Sequence, residues 1–262
     1  MFNFLKSKEV RMRESANLVS NILLELKLLT VPDVSLDALD EIAFRRIKEA
    51  GAEPANLNYH PKWASVPFPA TLCCSVDFEV CHAPPRGRTL KEGQIVKYDL
   101  GLRLNGAYAD AAICVAVGEI DNRKQRAMRY GLQALYEGIK AVKANVPVSA
   151  IGRAIEDFAM RNGYNVIKSY GGHHIGLKAM HQEPHIPHHY DPKYDNIFLK
   201  EGDIICLEPM CTPGSGRTEV AKEDGWTVFT IDRQICVMFE HEILVTKEGS
   251  EILTKHVSLP MI

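Results

Sequence analysis

The chain has 262 residues, 46% of them hydrophobic and 24% charged, with a formal net charge of -2. That length gives one large domain or two small ones with ample core. The near-neutral balance, with no run of five like charges, argues against a nucleic-acid footprint or a polybasic membrane patch.

The first stretch, MFNFLKSKEVRMRES, has no apolar region followed by a small-residue cleavage site, and no segment approaches membrane-spanning length. Residues 8–29 place Met12, Ala16, Val19, Leu23 and Leu26 at helical spacing. Ser35 is a fitting N-cap for a second helix through Leu39, Ile42 and Ile47 that stops at Gly51. A proline-containing loop over 54–70 leads into strand-like runs to about residue 118. Helices are predicted near 124–144 and 149–162, the latter ending at Asn162-Gly163, and strands fill most of 164–258. This order predicts an α+β fold, since single strands alternating with helices would suit a parallel α/β sheet. VSLDALDEIAF and VSAIGRAIEDF echo one another weakly, each opening on Val-Ser with Phe nine residues after the serine. Seven cysteines, an odd number and without a CxxC spacing, lie mostly in apolar runs such as TLCCSVDFEVCH and DIICLEPMC. They read as reduced thiols packed as small hydrophobes in the cytoplasm.

The segment KYDLGLRLNGAYADAA carries Asp99 and Asp110 in an otherwise half-buried hairpin. Asn105-Gly106 is a two-residue type I′ signal, because both positions need positive φ. That turn pairs Leu104 with Ala107, Gly101 with Asp110 and Asp99 with Ala112, so both carboxylates leave one face on a diagonal of about 7–8 Å. Gly101 leaves space between them. Two carboxylates at about 4 Å repel by roughly 4 kcal/mol at an effective dielectric near 20. A shared proton or a cation relieves this; the plainer alternative is an exposed hairpin whose aspartates face water.

Further segments favour the cation. YGGHHIGLKAMHQEPH holds closely spaced histidines, DIICLEPMCTPG ends an apolar strand on Glu208, and VMFEHEILVT sets Glu240 within another. A glutamate inside such a strand is rarely buried unless paired or bound to metal. Four carboxylates and an imidazole form a mixed O/N ligand set for two divalent ions.

In combination and order, CCSVDFEVCHAPP, YDLGLRLNGAYAD, GGHHIG…HQEP, LEPM, EDGWTV and FEHEILVT resemble the type I methionine aminopeptidases, over nearly the whole chain. The resemblance implies the pita-bread fold: a single catalytic domain over 1–262, with pseudo-two-fold halves at roughly 8–120 and 121–258, a curved antiparallel sheet and outer helices. It implies a metalloaminopeptidase that removes N-terminal methionine from nascent proteins by a dinuclear-metal-activated hydroxide. The implied metal ligands are Asp99, Asp110, His173, Glu208 and Glu240, holding two divalent ions (Co, Mn, Fe or Zn). Catalytic roles fall to His82, His181 and Glu208, and substrate binding to Phe68, Cys73, His82, Met180, His181 and Trp226. The partners implied are N-terminal Met peptides and nascent proteins, with ribosome association, no nucleic-acid binding of its own, no membrane, and a monomeric state.

Departures from the family pattern are specific. His174 follows His173 where glycine is usual, and one extra residue precedes His181, so the count back from His181 leaves His174 open as the ligand. Ala83 follows His82, Ala111 follows Asp110, Glu242 replaces the usual threonine after Glu240-His241, and Gly101 stands where a supporting threonine is common. An Xaa-Pro aminopeptidase or prolidase-like enzyme shares the metal set, but such proteins usually carry a large extra N-terminal domain. A non-catalytic binding protein of the same fold would typically have lost ligands. The tract HIPHHY reads as a solvated loop after the site, TPGSGRTE lacks the ending of a phosphate loop, and Cys73 lacks the partners of a nucleophile.

Overall fold

The computed structural model describes residues 7–255, so the opening hexapeptide and the predicted end of the second half at 256–258 lie outside it. Four helices carry the outer layer: α1 (Lys8–Leu29), α2 (Leu36–Glu49), α3 (Asn122–Ala141) and α4 (Val148–Arg161). Side-chain caps start three of them. Ser7 accepts from the Val10 N–H, Ser35 from Ala38 and Asp121 from Lys124. Gly51 at φ 70° and Gly163 at φ 78° follow α2 and α4, the left-handed conformation that ends a helix. The sequence echo differs in its cap: Ser35 precedes its helix, whereas Ser149 is already inside α4, capped at Pro147 without a side-chain bond. The third helix begins and ends slightly earlier than its predicted span, because Asp121 caps it and Val142 turns extended.

The first half adds strands β1 (Glu53–Pro54), β2 (Cys73–Val76), β3 (Glu79–Cys81), β4 (Ile95–Leu104) and β5 (Ala107–Ala116). The second adds β6 (Asn165–Val166), β7 (Gly171–His174), β8 (Gln182–Pro187), β9 (Ile204–Leu207) and β10 (Met210–Thr212). Then come β11 (Thr218–Val220), β12 (Val228–Thr230), β13 (Val237–Met238), β14 (His241–Val245) and β15 (Ser250–Ile252). Every pairing between these strands is antiparallel, giving the mixed helix and sheet composition that the element order predicts.

Two sheets matter for the site. In one, β4 lies between β1 and β2 on one edge and β5 on the other; in the other the order is β15-β14-β9-β7-β8. Helices α1 and α2 close a core over the first sheet with Leu23, Leu39, Tyr98 and Leu100. Helices α3 and α4 close a second core with Leu135, Ile155, Ile205, Phe239 and Ile243. Strand alternation sends Val96, Tyr98, Leu100 and Leu102 of β4 into the first core, leaving Lys97, Asp99 and Gly101 on the opposite face. The hairpin has the register the Asn-Gly turn predicts: Leu104 opposite Ala107, Gly101 opposite Asp110, Asp99 opposite Ala112. Asn105 and Gly106 adopt φ 52° and 77°. All seven cysteines are free and buried, and no helix among the described residues is long and apolar enough to cross a membrane.

Candidate metal centre

Five groups meet where the two sheets face each other. Asp99 and Asp110 come from the β4–β5 hairpin, His173 from β7, Glu208 from the residue after β9, and Glu240 from the residue before β14. A bond from the Glu240 N–H to the Ala112 carbonyl, 2.9 Å, ties the second sheet to that hairpin. Carboxylate oxygens of Asp99, Asp110 and Glu240 lie within 4.8 Å of one another. The His173 Nε2 is 3.8 Å from Asp110 Oδ2 and 4.0 Å from Glu208 Oε1.

The electrostatics of this arrangement are costly. Asp110 and Glu240 are 4% and 2% exposed, and Asp110 Oδ1 and Glu240 Oε1 are buried without a hydrogen-bond partner. Burial pushes the Asp99 carboxyl up to about 7. Burial, then the charge of their neighbours, raises Asp110, Glu208 and Glu240 well above the ordinary carboxylate range. His173 is driven the other way by burial, down to about 3, so it is a neutral imidazole. Its Nδ1 sits 3.0 Å from the His174 carbonyl oxygen; donating there leaves the Nε2 lone pair aimed at the carboxylates. Orphaned buried oxygens beside an oriented, neutral imidazole are the donor set of divalent cations, and bound cations are what make such a cluster stable in its charged form. The residues fit the group.

Of the two adjacent histidines, His173 enters the cluster and His174 does not. Successive strand residues point to opposite faces, and His174 turns outward to place Nε2 3.4 Å from Asp203 Oδ2 and Nδ1 3.1 Å from the Pro184 carbonyl oxygen.

A cavity of about 450 Å³ opens above the carboxylates, lined by His82, His181, Met180, Phe68, Cys73 and Trp226 among others. Phe68, Cys73 and Trp226 pack together as one small apolar cluster, with Phe68 edge-on to Trp226 at 5.2 Å. Met180 also lines the cavity. The space beside Gly101 is not open, as the sequence suggests: a Cβ there would collide with Met180 Sδ and come 2.9 Å from Asn56 Oδ1. His82 adopts φ 56°, a left-handed conformation that costs energy outside glycine and is found where a side chain must be aimed. Burial lowers it to about 4, so it too is neutral. His181 sits at the rim, its ring 4.5 Å from that of His173 and its Nδ1 3.1 Å from the Tyr59 hydroxyl.

Some contributors escape the sequence. Trp63 is 63% exposed, yet it lies edge-on to Trp226 at 5.0 Å and near the His82 ring at 6.3 Å. It comes from the 54–70 loop, which has no periodicity to signal it. The tract HIPHHY is not a solvated loop. Ile186 and Pro187 belong to β8 and are buried, and His188 is 1% exposed. Its Nε2 accepts from the backbone N–H groups of Gly172 and Glu208, at 3.1 and 3.2 Å. The signal was present as a two-residue step from Ile186, inside β8, to His188, just past its end.

Comparison with known proteins adds to this geometry. Residues 10–247 match the model of metallopeptidase family M24. The chain is 36% identical over 244 residues to methionine aminopeptidase 1 of Bacillus subtilis, covering 93% of this chain and 95% of that protein. The crystal structure of methionine aminopeptidase from Rickettsia prowazekii superposes with a TM-score of 0.88 at 32% identity, covering 95% of this chain and 98% of the other. An Xaa-Pro dipeptidase from Bacillus anthracis shares the fold at a TM-score of 0.74 and 20% identity, and this chain spans 61% of it.

Proposed function

The chain belongs to metallopeptidase family M24, and from that premise we propose that it is a methionyl aminopeptidase, removing N-terminal methionine from peptides and nascent proteins. The observation that carries the reading is one cavity with two walls: the carboxylates of Asp99, Asp110, Glu208 and Glu240 with His173 on its floor, and the apolar cluster of Phe68, Cys73 and Trp226 beside them. The likeness to the Xaa-Pro dipeptidase is one of fold, whereas the Bacillus subtilis methionine aminopeptidase matches in sequence over 93% of this chain.

Asp99, Asp110, His173, Glu208 and Glu240 hold two divalent ions, drawn from Co, Mn, Fe and Zn according to supply. Bound there, the ions supply Lewis acidity toward water and toward the scissile carbonyl. Glu208, at the cavity floor beside His173, takes the proton of the attacking water and returns it to the leaving amine. His181, its Nδ1 engaged by the Tyr59 hydroxyl, presents Nε2–H to the oxyanion of the tetrahedral intermediate. His82, aimed by its left-handed backbone, contacts the scissile amide. Phe68, Cys73, Trp226 and Met180 enclose the unbranched methionine side chain and exclude water from it. The protein acts as one catalytic domain with two related halves, as a monomer in the cytoplasm, on chains emerging from the ribosome.

The test is cleavage of Met-Ala-Ser and of an Xaa-Pro dipeptide by the purified chain, stripped with EDTA and reloaded with Mn²⁺ or Co²⁺. Turnover of the methionyl peptide alone is expected. Glu208→Gln is expected to lower kcat by about 10²–10⁴-fold while the fold and bound metal persist. Cleavage of the Xaa-Pro substrate instead would reverse the assignment, and cleavage of neither with metal bound would make this a binding protein.

A further inference from the structure

The floor of the metal centre contains a thiol. Strand β9 runs between β7 and β14, and its Cys206 is paired with His173 on one side and with Glu242 on the other. Directly paired residues project from the same face of a sheet. His173, Cys206 and Glu242 therefore form one row, and Glu208 and Glu240 continue the same face one step along. A ring nitrogen of His173, the Sγ of Cys206 and a carboxylate oxygen of Glu240 all lie within 4.8 Å of one another. Cys206 is fully buried. Across the pair, Glu242 is 0% exposed and neither of its oxygens has a hydrogen-bond partner. The row is thus a buried set of nitrogen, sulfur and oxygen donors in which the Cys206 thiol bonds to the Glu240 carboxylate, while Glu240 Oε1 and both Glu242 oxygens have no partner.

We propose that Cys206 is a ligand of the metal position held by His173, Glu208 and Glu240, making that position an N, S and O site. The proposal rests on the metallopeptidase reading above. Ligands of one tetrahedral ion sit roughly 3.5 Å apart at ordinary Zn–N, Zn–O and Zn–S lengths. One ion can therefore gather these three donors by small side-chain adjustments. Ligation exchanges the S–H bond for a sulfur–metal bond, and the proton passes to the buffer. A thiolate in the set shifts preference from Mn²⁺, which suits carboxylates, toward Zn²⁺ and Co²⁺. The competing account is a small packed hydrophobe, which describes thiols held among carbon neighbours. Cys206 has such neighbours in Met12, Ala16, Ile204 and Leu253, and it differs from a purely packed thiol in that its Sγ also lies within 4.8 Å of a His173 ring nitrogen and a Glu240 carboxylate oxygen.

The experiment is Co²⁺ titration of the EDTA-stripped full-length chain, followed by absorption spectroscopy. Visible d–d bands report occupancy of the centre, and a near-ultraviolet thiolate-to-cobalt charge-transfer band reports the sulfur ligand. Wild type is expected to show both. Cys206→Ser and Cys206→Thr are expected to keep the visible bands, lose the charge-transfer band, and lower the preference for Zn²⁺ over Mn²⁺ by about tenfold. Cys73→Ser, which alters the other thiol lining the cavity, is expected to keep the band. Visible bands in wild type without charge transfer would overturn the proposal and leave the functional reading intact, whether or not either Cys206 variant folds. Loss of the band in Cys73→Ser with retention in Cys206→Ser would overturn it too. Absence of all cobalt bands would remove the metallopeptidase reading and this ligand with it.

Discussion

The imidazole Nε2 of His188 accepts a hydrogen bond from the backbone N–H of Glu208 at 3.2 Å, and the same nitrogen accepts from Gly172 at 3.1 Å. One buried acceptor thereby joins the residue before His173 to Glu208, both proposed above as metal ligands. Burial drives His188 down to about 3, which keeps it neutral and keeps Nε2 an acceptor. A Cβ on Gly172 would be blocked by the Cys206 carbonyl oxygen, so glycine is what lets β7 and β9 approach.

His188→Leu leaves two buried N–H groups without an acceptor. The expected cost is about 1–3 kcal/mol of stability for each unsatisfied group, with a loss of about 10–100-fold in metal affinity as Glu208 and His173 lose their alignment. His188→Asn, which keeps an acceptor oxygen, is expected to recover much of both. Thermal unfolding and Mn²⁺ binding by electron paramagnetic resonance measure the two effects. Equal affinity in all three proteins would mean that the clamp does not reach the ligands.

The hairpin of this site was legible because its determinants are local. Asn105-Gly106 fixes the turn, the turn fixes the register, and the register puts Asp99 and Asp110 on one face. Ser35 and Gly51 bound α2 for the same reason. What the residues could not announce by themselves is the meeting of that hairpin with β9 and β14, which rests on tertiary bonds such as those from Glu240 to Ala112 and from Tyr108 to Gly176. Glu208 and Glu240 were visible only as anomalies in apolar strands. His188 was hidden by the prolines and histidines around it, whose composition imitates a loop. Trp63 was hidden because an aperiodic loop carries no face. The burial of Glu242 follows from alternation with Glu240, yet its lack of partners is a property of the packed sheet alone.

Gly101 and Met180 share one volume, so widening one residue displaces the other. Gly101→Ala is expected to push the Met180 thioether out of the substrate cavity and to raise KM for Met-Ala-Ser by roughly 5–30-fold, the equivalent of one to two kcal/mol. The effect on kcat is expected to be smaller, since no ligand is removed. In the double variant with Met180→Ala, the KM increments are expected to be markedly non-additive, because both changes act on the same space. Additive increments, or a fall confined to kcat, would place the collision elsewhere.

Metal-free protein is expected to lose stability as pH rises through neutrality. Asp99 has a folded-state value near 7, above its ordinary 3.8, so the folded chain holds a proton that the unfolded chain has released. Stability from such a group is fully present below the unfolded value and is lost as pH passes the folded one. Asp110, Glu208 and Glu240 are also raised well above the ordinary carboxylate range and add to the loss. His82 and His173 are lowered, to about 4 and about 3, and by pH 7 they are largely neutral in both states. Between pH 7 and 8 the carboxylates therefore set the slope. Urea midpoints of the stripped protein are expected to fall across that interval. Mn²⁺ at a hundred times its Kd is expected to restore about 2.7 kcal/mol, and the gap between loaded and stripped protein to widen with pH. A flat profile for the stripped protein would mean that the carboxylates do not share a site.

Glu242 offers the cleanest separation of charge from shape. It is fully buried, both its oxygens lack partners, and burial with the nearby charge of Asp110 raises its carboxyl well above the ordinary range. The glutamine variant preserves the volume and removes the possibility of ionisation. At pH 5 the folded acid is protonated and the unfolded one has only begun to ionise above its ordinary 4.5, so Glu242→Gln is expected to change the stability of the metal-free protein by less than about 1 kcal/mol. At pH 8 the unfolded glutamate is charged while the folded one resists ionisation, a penalty that the amide escapes. The variant is then expected to be more stable than wild type by about 1–3 kcal/mol, the usual scale for relieving an unsatisfied buried polar group. Urea denaturation of both proteins after EDTA treatment, at the two pH values, measures the difference. A gain of equal size at both would assign the effect to packing, and a loss at pH 8 would mean that the Glu242 charge is already compensated within the fold.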